Sequence, residues 1–159
     1  LKVLYVDRHN KDVVLLDKIF TIKNKLNTIQ NKSICTVQGN YTILVVDDEK
    51  INLMYLSLLL KELDFKILEA INGKEAVDIC NEHPEIDLVF MDLKMPIMSG
   101  FDAAKLIKQK RPELPIIAQT AYYTIEEESE ALKSGCNDFI SKPLSKFKVI
   151  EKMNMFLGT

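Results

Sequence analysis

The stretch Ile43-Leu44-Val45-Val46-Asp47-Asp48 decides the fold of this chain, because an apolar run ends there in two carboxylates. The pattern returns at Leu88-Val89-Phe90-Met91-Asp92, and Phe139-Ile140-Ser141 leads in the same way into Lys142. Continuous apolar runs are typical of parallel strands that are covered on both faces. The carboxyl ends of such strands share one edge of the sheet, where ligands bind. We therefore expect four charged residues to converge at that edge: Asp47, Asp48, Asp92 and Lys142.

The predicted cluster indicates a divalent cation. Carboxylates that lie close together repel one another and raise their own proton affinity unless a positive charge relieves them. Lys142 supplies one such charge, which is fewer than three carboxylates require. The cluster therefore implies a bound divalent metal, or a reaction that uses one.

From Tyr41 onward, short β-rich runs alternate with helical patterns, which is typical of βαβ units and a parallel sheet. Strands are predicted at residues 43–47, 66–70, 87–91, 115–119 and 138–141. The first helix is predicted to be amphipathic from apolar residues that recur at helical spacing: Ile51, Met54, Tyr55, Leu58 and Leu59. Five strands and five helices predict an α/β domain with a doubly wound, flavodoxin-like parallel sheet.

Composition narrows the class of protein. The 159 residues are 47% apolar, which is enough for a sizeable core and argues against disorder. The net charge of -2 creates no global field, so we expect neither nucleic acid nor membrane as a partner of this chain. Cys35, Cys80 and Cys136 match no metal-binding spacing and resemble reduced cytosolic cysteines. No apolar stretch approaches the roughly 20 residues that span a bilayer, so a cytoplasmic location is expected.

Four motifs within residues 42–157 resemble those of the receiver domain of two-component response regulators, particularly receivers fused to hybrid histidine kinases. The motifs follow one another in the order found in the family, and together they are specific. They are Val45-Val46-Asp47-Asp48-Glu49 with Asn52, Met91-Asp92-Leu93-Lys94-Met95-Pro96-Ile97-Met98-Ser99-Gly100, Gln119-Thr120-Ala121, and Gly135-Cys136-Asn137-Asp138-Phe139-Ile140-Ser141-Lys142-Pro143. We therefore predict a receiver domain over residues 40–159.

The resemblance implies a chemical role for each charged position. Asp92 becomes the phosphoacceptor, a carboxylate nucleophile that forms an aspartyl phosphate. Mg²⁺ is assigned to Asp47, Asp48 and Asp92, together with the backbone carbonyl of Lys94. Lys142 pairs with Asp92 at rest and with a phosphoryl oxygen afterwards, and its bond to the following proline is usually cis in the family. The implied catalysis is limited to the domain's own phosphorylation and dephosphorylation, although the parent chain could itself be a histidine kinase.

The resemblance also implies a switch and a partner. Thr120 donates its hydroxyl to a phosphoryl oxygen, helped by the backbone N–H of Ala121. Phe139 then turns inward behind Thr120, and the surface around the fourth and fifth helices changes. Tyr122 is predicted to shield the phosphoryl group from water. The implied partner is a histidine kinase or a histidine phosphotransfer domain.

Residues 1–39 are predicted to form a separate strand-helix-strand segment. Val3-Leu4-Tyr5-Val6-Asp7 repeats the strand that begins at Ile43 at an offset of 40, but Arg8 stands where the second acidic residue would be. The segment is therefore either a degenerate partial receiver or a linker. Its apolar residues follow a heptad-like pattern that suits a helix partner, which leaves a homodimer open: Leu15, Ile19, Ile22, Leu26 and Ile29.

Two alternatives to a phosphoacceptor stay open. The first is a phosphate-independent pseudo-receiver that acts as an interaction module, against which the presence of Asp92, Thr120 and Lys142 argues. The second is a flavodoxin-like or phosphatase-like enzyme. Asp47-Asp48-Glu49 would repel a flavin phosphate, and it lacks the Asp-x-Asp spacing of phosphatases that use an aspartyl nucleophile. No DNA-binding effector is expected in this chain.

Overall fold

The computed structural model describes residues 39–121 and 124–158. Except for Gly39, the predicted N-terminal segment lies outside this part of the chain, and so does its heptad-like pattern. Tyr122 also lies outside it. The domain boundary at residue 40 and the shielding role of Tyr122 therefore stay predictions.

A five-stranded parallel sheet forms the centre of the domain and confirms the predicted fold class. Its strands are β1 (Thr42–Val46), β2 (Lys66–Ala70), β3 (Ile86–Asp92), β4 (Ile116–Thr120) and β5 (Asp138–Ser141). Their order in the sheet is β2-β1-β3-β4-β5. Because β2 and β3 lie on opposite sides of β1, the connections leave β1 and β3 in opposite directions. Such a switch point opens a crevice beyond the carboxyl ends of these two strands.

Five helices cover the sheet: α1 (Lys50–Lys61), α2 (Gly73–Glu82), α3 (Gly100–Lys110), α4 (Ile125–Lys133) and α5 (Lys146–Leu157). Each of the last four begins after a polar residue whose side chain accepts a hydrogen bond from the backbone N–H three positions on. These caps are Asn72, Ser99, Thr124 and Ser145. Within residues 39–121 and 124–158, no helix is long and apolar enough to cross a membrane.

The helices bury both faces of the sheet, which explains the continuous apolar runs. Alternate residues of a strand point to opposite faces. Leu44 and Val46 therefore pack in one layer with residues of α2 and α3, whereas Ile43 and Val45 pack in the other with residues of α1 and α5. All five residues of β1 are buried. Two core layers thus fix the position of the strand end that precedes Asp47.

Helix α1 is present where predicted, but its buried face differs from the predicted apolar pattern. Leu53, Leu56, Leu59 and Leu60 face the sheet, so only Leu59 of the predicted set is buried. The other four form an exposed apolar surface, called here the α1 surface: Ile51, Met54, Tyr55 and Leu58, which are 46% to 67% exposed. Apolar residues occupy both sides of this helix, so periodicity alone does not identify the side that faces the sheet.

Candidate functional site

The predicted acidic residues meet at the crevice between β1 and β3. Asp47 follows β1, and Asp92 is the last residue of β3. One carboxylate oxygen from each of Asp47, Asp48 and Asp92 lies within 4.8 Å of the other two. Asp47 and Asp92 are buried, whereas Asp48 is exposed. This group of oxygen ligands fits a divalent cation such as Mg²⁺, which binds a few carboxylates and keeps several waters.

Lys142 lies between the two buried carboxylates. Its ammonium group donates to Asp47 Oδ2 at 2.7 Å and also to Asp92 Oδ2. Burial alone would lower the pKa of Lys142, but its hydrogen bonds to both carboxylates raise that pKa above the usual value. Burial raises the pKa of Asp92, against the opposing effect of Lys142. The direction for Lys142 fits an ammonium that two carboxylates surround. The Lys142-Pro143 peptide bond is cis, as the resemblance implies.

Nearby nitrogen donors orient the two buried carboxylates. Asp47 Oδ1 accepts hydrogen bonds from the Asn52 amide at 3.1 Å and from the backbone N–H two residues on at 3.0 Å. Asp92 Oδ1 accepts one from the backbone N–H of Lys94 at 3.0 Å. Asn52 was predicted as part of the first motif without a role of its own, and the available signal was a polar residue in the first turn of α1. The chain also passes close to Asp92, because a Cβ at Gly100 would lie 2.0 Å from the Asp92 carbonyl oxygen.

An open cleft of about 520 Å³ lies beside the acidic group. The residues predicted to surround the phosphoryl group line it together: Asp48, Asp92, Lys94, Thr120, Ala121 and Lys142. Asp47 is only 1% exposed and lies behind this wall, in contact with Lys142. Among the described residues, the structure therefore brings the predicted residues of the chemical site to one place, with Phe139 as the exception, whereas Tyr122 lies outside the described ranges.

Gln119 lines the same cleft, and no role was predicted for it beyond its place in the motif Gln119-Thr120-Ala121. It pairs in register with Asp92 on the neighbouring strand, so both side chains lie on the same face of the sheet. Its Nε2 is buried and has no hydrogen-bond partner among the described residues. Burying an unpaired donor is unfavourable, so this amide is a cost to the folded state. The available signal was a glutamine in an otherwise apolar strand.

Glu127 contacts two of the predicted residues and was also missed. Its Oε2 accepts a hydrogen bond from the Thr120 hydroxyl at 2.8 Å, and its Oε1 forms an ion pair with the Lys94 ammonium. The bonds from Lys94 and Thr120 lower the pKa of Glu127, so its carboxyl group is ionised. Glu127 belongs to the first turn of α4, where three successive glutamates give no sign of which one turns toward the cleft.

Phe139 lies behind the cleft. Its ring is half-buried, and the ammonium of Lys152 on α5 lies 5.6 Å from the ring centroid, a cation–π distance. Thr120, Glu127 and Phe139 all line one small cavity between the sheet and α4. The two predicted switch residues are therefore neighbours across that cavity.

A second groove joins the cleft to the α1 surface. Its volume is about 370 Å³, and Ile51, Tyr55 and Leu144 form its apolar wall. The cleft and this groove share three lining residues: Asn52, Lys142 and Pro143. An apolar surface therefore begins at the rim of the acidic site.

A parallel sheet with carboxylates and a lysine at its carboxyl edge is the arrangement of a receiver domain, and comparisons with known proteins identify the family. The family model of the response regulator receiver domain matches residues 43–154. This chain belongs to that family. It is 36% identical over 125 residues to two-component response regulator 24 of Arabidopsis thaliana, a match that covers 77% of this chain and 90% of the relative. It is 31% identical over 119 residues to the polar-differentiation response regulator DivK of Brucella anthropi, covering 74% and 96%.

Solved structures agree with this assignment. One similar chain comes from the co-crystal structure of the Saccharomyces cerevisiae histidine phosphotransfer protein Ypd1 with the receiver domain of Ssk1. It is 32% identical, with a TM-score of 0.70, and the match covers 74% of this chain and 89% of that one. Another comes from the CheX-CheY-BeF3-Mg+2 complex of Borrelia burgdorferi, at 29% identity and a TM-score of 0.68, covering 72% and 87%.

Proposed function

We propose that this receiver domain accepts a phosphoryl group on Asp92 from a histidine of a kinase or of a histidine phosphotransfer domain, with Mg²⁺ bound beside it. One observation carries the proposal: Lys142 bridges Asp92 and Asp47 within an acidic group that opens on a cleft. An aspartate that served only as a turn residue would need neither a second carboxylate nor a half-buried lysine beside it. Membership of the receiver family also favours a phosphoacceptor over the flavodoxin-like and phosphatase-like alternatives.

Asp92 supplies the nucleophile. One of its carboxylate oxygens attacks the phosphorus of a phosphohistidine, the new O–P bond forms, and the N–P bond breaks with its electron pair left on the imidazole. The backbone N–H of Lys94 orients the attacking carboxylate. Lys142 offsets part of the repulsion between that carboxylate and the anionic phosphoryl group. Its ammonium can then bond a phosphoryl oxygen while it stays paired with Asp47.

The remaining groups of the cleft supply charge and hydrogen bonds. A bound Mg²⁺ would neutralise phosphoryl oxygens and would be held by four groups: the side chains of Asp47, Asp48 and Asp92 and the backbone carbonyl of Lys94. The Thr120 hydroxyl and the backbone N–H of Ala121 would donate to the other phosphoryl oxygens. Phosphoryl transfer depends mainly on such positioning and electrostatic stabilisation.

The α1 surface supports a helical histidine-bearing domain as the partner. Its groove shares lining residues with the cleft, so a domain seated on Ile51 and Tyr55 would bring a histidine close to Asp92. Exposed apolar patches that adjoin a polar site are typical of interaction surfaces. The similar Ssk1 receiver domain was crystallised with a histidine phosphotransfer protein, which agrees with this class of partner. We place the reaction in the cytoplasm, where Cys80 and Cys136 would stay reduced.

The proposal is tested by mass spectrometry of the intact full-length chain after incubation with acetyl phosphate and Mg²⁺. Wild type and Asp78→Asn should gain one phosphoryl group, because Asp78 is exposed on α2 and its ion pair within the part of the chain that the structure describes is with Lys74. Asp92→Asn should gain none, and chelation of Mg²⁺ should suppress labelling of the wild type. Equal labelling of Asp92→Asn and wild type would remove Asp92 from its role. A wild type that is never labelled would favour the phosphate-independent module.

A further inference from the structure

Glu127 links two groups that flank the cleft. One carboxylate oxygen accepts a hydrogen bond from the Thr120 hydroxyl, and the other pairs with the Lys94 ammonium. Thr120 ends β4, and Lys94 follows the end of β3, so the two contacts reach across the carboxyl ends of adjacent strands. We call this arrangement the Glu127 bridge.

The first turn of α4 fixes the position of Glu127. The hydroxyl of the capping residue Thr124 accepts a hydrogen bond from the Glu127 backbone N–H at 3.1 Å. The Glu127 side chain is only 16% exposed, whereas Glu126 beside it is exposed. A carboxylate in the first turn is favourable near the positive end of the helix dipole. The Glu127 bridge thus ties α4 to the cleft through a side chain with little freedom.

We propose that Glu127 is a positioning residue that keeps the cleft in its unphosphorylated arrangement, and that it must release Thr120 and Lys94 when Asp92 carries a phosphoryl group. This inference rests on the proposed function. A hydroxyl has a single proton, so Thr120 cannot donate it to Glu127 and to a phosphoryl oxygen at once. A phosphoryl group also brings nearly two negative charges close to the Glu127 carboxylate. For both reasons, phosphorylation of Asp92 disfavours the Glu127 bridge.

Release of the bridge would change the surface of the domain. Glu127 is the described side chain of α4 that joins the helix to Thr120, and it lines the small cavity together with Phe139. When Thr120 turns toward the phosphoryl group, α4 loses that tie, and the cavity beside Phe139 changes shape. Phosphorylation of Asp92 thus changes the surface at α4, because Thr120 exchanges one set of hydrogen bonds for another. This is a two-state switch.

The experiment titrates the full-length chain with beryllofluoride in the presence of Mg²⁺ and follows the amide NMR signals. Glu127→Gln should bind this phosphoryl analogue about tenfold more tightly than the wild type, because the competing charged acceptor is lost. Its analogue-free α4 signals should already lie part of the way toward those of the bound wild type. Glu127→Asp should behave similarly, since its shorter side chain keeps the charge but loses the reach. Glu126→Gln removes the same charge from the same turn and should bind as the wild type does.

A Thr120→Val double-mutant cycle gives the second readout. Thr120→Val removes the donor of the Thr120–Glu127 hydrogen bond, and Glu127→Gln removes the charge of its acceptor. Both substitutions act on the same interaction, so their effects on analogue affinity should be non-additive. Equal affinity of wild type and Glu127→Gln, or strictly additive effects, would overturn the inference and leave the proposed function intact. A wild type that neither binds beryllofluoride nor is labelled by acetyl phosphate would instead overturn the proposed function.

Discussion

Two cationic side chains of nearly equal exposure lie at opposite edges of the sheet and have different roles. At the carboxyl edge, Lys142 is 17% exposed and contacts two carboxylates. At the amino edge of β3, Arg111 is 18% exposed. Oε1 of the exposed Glu113 lies 4.0 Å from its Nε, and its hydrogen bonds go to backbone carbonyls. Its guanidinium donates to four of them, at 2.6 to 3.3 Å: Cys80, His83, Pro84 and Ile86.

The partners of each cation explain the difference. Arg111 satisfies neutral acceptors at the end of α2, a helix with no basic residue in its own last turn. Its contacts need no further ligand, so they serve the fold. Lys142 pairs with acidic groups that outnumber it, so the site keeps a negative charge that another cation or a new ligand arrangement can relieve. Burial alone therefore does not mark a functional cation, whereas an excess of opposite charge around it does.

The largest expected effect is a loss of stability when Arg111 at the amino edge is replaced. Arg111→Ala should lower the free energy of unfolding by about 3 kcal/mol, because several carbonyls lose a charged donor while water reaches only some of them. Beryllofluoride affinity should not change, because no Arg111 contact reaches the cleft. Urea denaturation measures the first quantity, with Lys110→Ala as the control, since Lys110 makes an exposed contact with Asn81. A large loss of affinity in Arg111→Ala would show that the two edges are not independent.

A smaller loss of stability is expected at the carboxyl edge. Lys142→Met should cost about 2 kcal/mol, less than a fully buried pair would, because solvent partly screens this site. Three carboxylates would then lack their resident ammonium, so added Mg²⁺ should stabilise the variant more than it stabilises the wild type. Thermal unfolding with and without Mg²⁺ measures both effects. Lys146→Met breaks the surface pair with Glu62, so it should neither lose this stability nor gain more from Mg²⁺ than the wild type does. Equal Mg²⁺ stabilisation of wild type and Lys142→Met would contradict the charge argument.

The contrast between Lys142 and Arg111 also explains which features of the site and fold were predictable from the sequence. Lys142 was predictable because it follows a short strand whose end must lie at the same edge of the sheet as the ends of β1 and β3 once the sheet is parallel. Arg111 was not, because contacts between one long side chain and four carbonyls leave no local pattern. Gln119 and Glu127 were missed for a related reason: whether such side chains face the cleft depends on strand register and on the position of α4. The exposed face of α1 was missed because that helix is apolar on two sides.

The smallest expected effect concerns Cys80, whose carbonyl accepts from Arg111. A neighbouring guanidinium favours a thiolate, but burial prevails and raises the pKa of Cys80 to about 11. At pH 8 only about one native thiol in a thousand would then be ionised. Because the folded pKa lies above the unfolded value, this group's contribution to stability is complete below about pH 9 and is lost as the pH rises toward 11.

Iodoacetamide should therefore modify Cys80 in the native protein at pH 8 about a hundredfold more slowly than in urea-unfolded protein, with peptide mapping as the readout. Burial also raises the pKa of Cys136 to about 11, so this cysteine serves as the matched control away from Arg111. In Arg111→Ala, modification of Cys80 should accelerate relative to Cys136, since loss of the four contacts loosens the end of α2. Fast native modification of Cys80 alone would mean that Arg111 stabilises a thiolate, as Lys142 stabilises carboxylates, and the distinction between the two edges would fail.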